Sequence, residues 1–110
     1  MIDARRMEVF TALYDNSLNE VLPSTNLILD ENSFSEWLQQ KTISFFGNGS
    51  TKAAAVIKQL HASFVSVTAS AADMVSLSSK KFVLNQFADL AYAEPFYGKD
   101  FHSPISKKFY

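Results

Sequence analysis

Cysteine is missing from this chain of 110 residues. Its absence removes disulfides, thiol nucleophiles and thiolate zinc sites together, and fits a reducing compartment. Histidine is scarce: His61 and His102 are the two in the chain. A hydrolase needs a base beside its nucleophile, and a two-histidine metal site needs a third ligand and a helical H-x-x-x-H spacing that these two do not make. No serine lies in a G-x-S-x-G motif. No apolar run approaches the ~20 residues of a membrane span, and the opening Met1-Ile2-Asp3-Ala4-Arg5-Arg6 lacks a signal-peptide core. A net charge of −1 offers nucleic acid no global attraction.

What is present is a balanced globular composition, 47% apolar and 19% charged. A chain of this size buries roughly two thirds of its unfolded surface, enough for one core without staples. The expectation is a soluble, cytoplasmic single domain. Charge is unevenly spread: residues 1–50 carry three Lys/Arg against seven Asp/Glu, and residues 51–110 seven against four. Lys80-Lys81 and Lys107-Lys108 could touch a phosphate backbone, but two lysine pairs read as a solvated face.

Met7 to Tyr14 is rich in β-branched and aromatic residues, with Met7, Val9, Thr11 and Leu13 on one face. Asp15-Asn16-Ser17 is a turn cluster, and residues 18–29 resume an extended pattern broken at Pro23. This spells a β-hairpin, with Pro23 at an edge or bulge. Ser33-Phe34-Ser35-Glu36 has capping-box spacing, so a short helix with Phe34, Trp37 and Leu38 on one side should follow. Strands are expected near 42–46 and 63–67. Between them Ser50 should cap a helix from Thr51 to about His61, with His61 meeting the negative end of the dipole. Asp30-Glu31 precede the short helix expected from Ser33 and should complement its dipole. A longer helix from about Ala69, capped by Thr68, should reach Ser79 or Phe82. Residues 91–97 read as extended, with Pro95 holding Glu94 out of helical geometry. The order implies α/β: an antiparallel start, then crossover units, in one mixed sheet with helices on its faces.

The sharpest local feature is Phe45-Phe46-Gly47-Asn48-Gly49-Ser50-Thr51-Lys52, a strand, a glycine turn and a helix start. Such a turn can bring backbone amides to an anion; it can equally do no more than reverse the chain. The P-loop spacing G-x-x-x-x-G-K-[ST] fails. Asn48-Gly49-Ser50 is also a glycosylation sequon, of no weight without secretion.

Four motifs carry a resemblance. Ile2-Asp3-Ala4-Arg5-Arg6-Met7-Glu8-Val9-Phe10 resembles the "IDAR-x-GEVY" hairpin of the bacterial TsaB (YeaZ, glycoprotease-like) family. Phe46-Gly47-Asn48-Gly49 resembles its "VG-[DN]-G" turn. Ala71-Ala72-Asp73-Met74 resembles its final helix, and Ala93-Glu94-Pro95-Phe96-Tyr97 its "EP-x-Y" strand. They fall in the right order across residues 2–97 and correspond to the C-terminal half of the family, without its "GPGSFTG" lobe. The resemblance therefore implies a C-terminal ribonuclease-H-like lobe of the actin and sugar-kinase superfamily over residues 1–97, with a tail at 98–110.

The resemblance further implies a non-catalytic accessory subunit. With TsaD and the ATPase TsaE, it would help install threonylcarbamoyl on the adenosine beside the anticodon of certain transfer RNAs, meeting tRNA indirectly. The implied catalytic and metal residues are none. Asp3 would lie at the second phosphate hairpin, and Gly47, Asn48 and Gly49 near the adenosine loop, as a vestigial nucleotide site; ATP would bind only in a two-lobed protein. Met7 stands where the family has the hairpin glycine, so the turn has changed shape or never needed positive φ. Gly98-Lys99 replaces a frequent Leu-Arg. The alternative class is a glycoprotease-like or nucleotide-hydrolase lobe. Two further expectations concern the ends. Phe101 and one of Phe109 and Tyr110 should be buried, by a second copy in a two-fold homodimer. The strand position at Met1 should be left partly unpaired.

Overall fold

The computed structural model describes residues 1–95. The expected burial of Phe101, Phe109 and Tyr110, like Phe96-Tyr97 and the tail 98–110, lies outside the described residues. Strand β1 is Ile2–Asp3, β2 is Glu8–Tyr14 and β3 is Glu20–Ile28, forming an antiparallel sheet in the order β1-β2-β3. Helix α1 is Ser35–Leu38, β4 Ile43–Phe45, α2 Ser50–Val56 and β5 Ala62–Phe64. A 3-10 turn at Ala71–Asp73 leads into α3, Met74–Val83. The architecture is mixed α/β, as the element order implied.

The hairpin forms where alternation predicted it. Val9 and Thr11 point inward and are buried, whereas the turn Asp15-Asn16-Ser17 is exposed. Asp15 shapes that turn by accepting the Ser17 and Asn19 N–H groups, each at 2.9 Å. Those bonds hold its carboxyl below the usual value, the Asn19 backbone bond first. Pro23 falls inside a bulge: Thr11 pairs with Thr25 but Leu13 with Leu22, so one extra β3 residue is absorbed there. Proline lacks an N–H to donate, and an edge strand at a bulge tolerates that.

One expected sheet is two. β4 and β5 pair in parallel, Ile43 with Ala62 through Phe45 with Phe64, as a separate ladder. β1 is too short to complete a ladder with β4; it meets the end of that strand through single hydrogen bonds. The core lies between the sheets and the two short helices, built from Val9, Leu29, Phe34, Leu38, Ile43, Phe45, Ala53 and Ile57. Phe45 is its aromatic centre, edge-on to Phe34 at 5.3 Å and stacked on Phe64 at 5.1 Å.

Several local expectations are corrected. The Ser33–Glu36 box does not form, because Ser33 Oγ accepts the Asp30 N–H at 2.9 Å. Phe34, in left-handed geometry at φ 62°, precedes the four-residue α1 instead. Asp30 accepts the Asn32 N–H at 2.8 Å, closing a turn rather than facing a helix dipole. Helix α2 starts at Ser50 and stops at Val56, since Ile57 turns extended with ψ 103° to insert into the core. His61 therefore ends no helix; its Nδ1 lies 2.8 Å from the Leu38 carbonyl oxygen. Ser70, not Thr68, starts the next helical segment, its N–H donating to Asp73 Oδ2 at 2.7 Å. No residue of α3 is buried, so this helix does not pack on a sheet face. Residues 91–92 lie in a turn closed by the Asp89 carbonyl, and no strand forms over 91–95.

Candidate functional site

The hairpin start and the glycine turn, 45 residues apart in sequence, form one junction. The Asp3 N–H donates to Asn48 Oδ1 at 2.8 Å. The Gly49 N–H donates to the Met1 carbonyl at 3.3 Å. The Met1 amine donates to the Phe46 carbonyl at 2.7 Å, and burial pushes that amine below its usual range. Asp3, Gly47, Asn48 and Gly49, singled out from sequence, are thus brought together.

The glycines are required by the approach of β1. Gly47 has φ +95°, a conformation L side chains rarely adopt. A Cβ there would sit 2.0 Å from the Met1 carbonyl oxygen. At Gly49 a Cβ would meet Val9 Cγ1 at 2.9 Å and the Ile2 and Asp3 backbone just beyond 3 Å. The absence of side chains lets one backbone lie against another.

Lys52 is the residue that sequence reading passed over. Its Nζ donates to Asp3 Oδ1 at 2.6 Å, to the Arg6 carbonyl at 2.8 Å and to the Glu8 carbonyl. Its side chain is 18% exposed against 51% for Asp3. The Lys52 hydrogen bond, followed by the Arg5 N–H, holds the Asp3 carboxyl below its usual value. A signal existed: a lysine in the first turn of a helix opposes the dipole, so it needs compensating partners. Here these are the hairpin carbonyls and one carboxylate.

The β1–β2 turn needs no glycine at Met7. Positive φ falls on Arg5 at 73° and Arg6 at 50°, not on Met7. The Glu8 N–H closes this turn on the Arg5 carbonyl at 3.0 Å. Lys52 holds the Arg6 and Glu8 carbonyls on its flank.

Beside the junction runs an open groove of about 1020 Å³, reaching from Met1 and Phe46 along Thr51 and Ala54 to residues 64–69. Among the described residues no lysine or arginine lines it. Two amides of the glycine turn are paired within the chain: the Gly49 N–H with the Met1 carbonyl, and the Ser50 N–H with the Gly47 carbonyl at 3.1 Å. Ser50 Oγ also donates to the Gly47 carbonyl, at 2.7 Å, rather than capping the helix. Among the described residues no three His, Cys, Asp or Glu side chains group as metal ligands, and no helix is long and apolar enough to cross a membrane. No protein-family profile, curated protein or solved structure matches this chain.

Proposed function

We propose that this chain is the C-terminal, ribonuclease-H-like lobe of a TsaB-type accessory subunit, non-catalytic, serving threonylcarbamoyladenosine formation in tRNA. Its partners on this reading are TsaD and TsaE, with tRNA met indirectly and a second copy as a further partner in the cytoplasm. One observation carries the proposal: the residues that would face a nucleotide are turned onto the chain itself. Asp3 is paired with Lys52, the Asn48 side-chain Oδ1 with the Asp3 N–H, and the Gly49 amide with Met1. Among the described residues, a triphosphate would meet no side-chain cation in the adjoining groove. The junction supports a role in holding a lobe in shape, with function residing in its surfaces.

Two measurements test this. Titration calorimetry with ATP and magnesium should give no binding heat to the chain. Nucleoside mass spectrometry of tRNA from cells depleted of the protein should show loss of threonylcarbamoyladenosine. Saturable ATP binding abolished by Asp3→Ala would favour a nucleotide-hydrolase lobe. Unchanged modification after depletion would overturn the tRNA assignment.

A further inference from the structure

We propose that Asn48 is a site of spontaneous covalent modification, losing its side-chain amide by ring closure onto Gly49, and that the docking of β1 controls this reaction. Asn48 alone among the asparagines of the chain precedes a glycine. Glycine has no Cβ to hinder the approach of its nitrogen to the preceding side chain. The Gly49 nitrogen gives its proton to hydroxide and bonds to Asn48 Cγ. The side-chain amide then leaves as ammonia, taking a proton from water. Water opens the resulting cyclic imide at one of its two carbonyls. One opening leaves an aspartate at position 48; the other leaves an isoaspartate, with the main chain running through the former side chain. Water is the co-reactant, and nothing is oxidised or reduced.

In the folded chain β1 holds both reacting groups. Asn48 Oδ1 accepts the Asp3 N–H at 2.8 Å, which fixes the carboxamide under attack. The Gly49 N–H donates to the Met1 carbonyl at 3.3 Å, so the proton that must leave is engaged. Asn48 is exposed but Gly49 is buried. A Cβ on Gly49 would stand 3.1 Å from the Ile2 carbonyl carbon and 3.2 Å from the Asp3 nitrogen, so β1 lies over the nucleophile and shields it from base. On its other side the Gly49 carbonyl accepts the Ala53 N–H at the start of α2. Ring closure therefore waits for a local opening in which β1 lifts from the turn, and its rate scales with the open fraction. Lys52 keeps that fraction small by tying the Asp3 carboxylate to the Arg6 and Glu8 carbonyls.

The two products act differently on the junction. An aspartate keeps an oxygen for the Asp3 N–H. An isoaspartate lengthens the main chain by a methylene in a turn without slack, where a Cβ at Gly47 would already sit 2.0 Å from the Met1 carbonyl oxygen. β1 cannot return to such a turn, so this product makes its release one-way. Nothing in the reaction depends on the tRNA reading, so either can fail alone.

The test holds the full chain at mildly alkaline pH and follows position 48 by peptide mapping with mass spectrometry. The same chain unfolded in guanidinium chloride runs beside it. The folded chain should form product about tenfold more slowly than the unfolded one. Lys52→Met should react about fivefold faster than wild type brought to the same global stability with guanidinium chloride. Should Lys52→Met not fold, Asp3→Ala, which loses the same ion pair, takes its place. Chains carrying isoaspartate should lose hydrogen-exchange protection at the Asp3 amide, and Asn48→Asp should keep it. Absence of product in the unfolded chain overturns the proposal, as do equal rates folded and unfolded. A junction variant no faster than stability-matched wild type also overturns it, since global unfolding would then govern. So does an isoaspartate chain that retains protection at Asp3.

Discussion

At the scale of single residues, the glycine turn and Lys52 decide how the first strand is held. Gly47→Ala adds a Cβ against backbone and demands positive φ, so it should destabilise by roughly 2–4 kcal/mol. Gly49→Ala needs no positive φ but still presses on the buried Val9 methyl and the Ile2 and Asp3 backbone, and should cost less, about 1–3 kcal/mol. Urea midpoints of the two variants check the order; a reversal would mean that β1 does not lie against the turn. The Asp3–Lys52 contact has a pH signature. Because the folded state lowers the Asp3 pKa, the unfolded chain takes up the proton first. Its contribution is present above the ordinary value of 3.8 and is lost as pH falls through the lower folded value. Asp3→Asn should therefore flatten the acid side of a plot of thermal midpoint against pH. Some slope should remain, since Asp15 is lowered too. An unchanged slope would show that the ion pair is not maintained in solution.

At the scale of elements, burial separates what the fold needs from what it carries. Ile57 is 1% exposed and Leu38 2%, at the centre of the core. Either residue changed to alanine should cost about 2–5 kcal/mol. Leu77 on α3 is 63% exposed, and Leu77→Ala should stay within about 0.5 kcal/mol. Chemical denaturation of the three variants checks the contrast.

Legibility divides along a similar line. The hairpin could be read because alternation over seven and nine residues repeats one signal many times. The positions of β4 and β5 could be read because apolar runs there are bounded by turn residues. Helix ends could not. Ala54, Ile57 and His61 keep helical spacing, but Ile57 reaches the core from an extended backbone. Ser33 and Glu36 keep capping-box spacing, but Asp30 competes locally for the Ser33 hydroxyl. The junction was legible as residues, from Asp3 and the glycine turn. Its hub, Lys52, was not, because its partners are backbone carbonyls that no spacing rule reveals.

At the scale of the whole molecule, the packed part and the remaining helix differ in what sustains them. Every core residue lies between Val9 and Ile57, whereas residues 63–95 are all exposed. Helix α3 has 10 residues and buries none, below the about 12–15 at which an isolated helix becomes even marginal. Its local contacts are few, chiefly Phe82 edge-on to Phe87 at 5.6 Å and the Ser70–Asp73 bond at its start. Opening α3 therefore exposes little further apolar surface and need not disturb the sheets. Hydrogen exchange should show α3 amides opening at a small fraction of the global free energy, while β2 and β3 amides approach it. Limited proteolysis should cut first within residues 66–95, with Trp37 emission retained because that ring packs beside Phe34 in the remaining core. Protection of α3 equal to that of β2 would contradict this division. It would mean that in solution another surface, from this chain or a second one, covers the apolar side chains of α3.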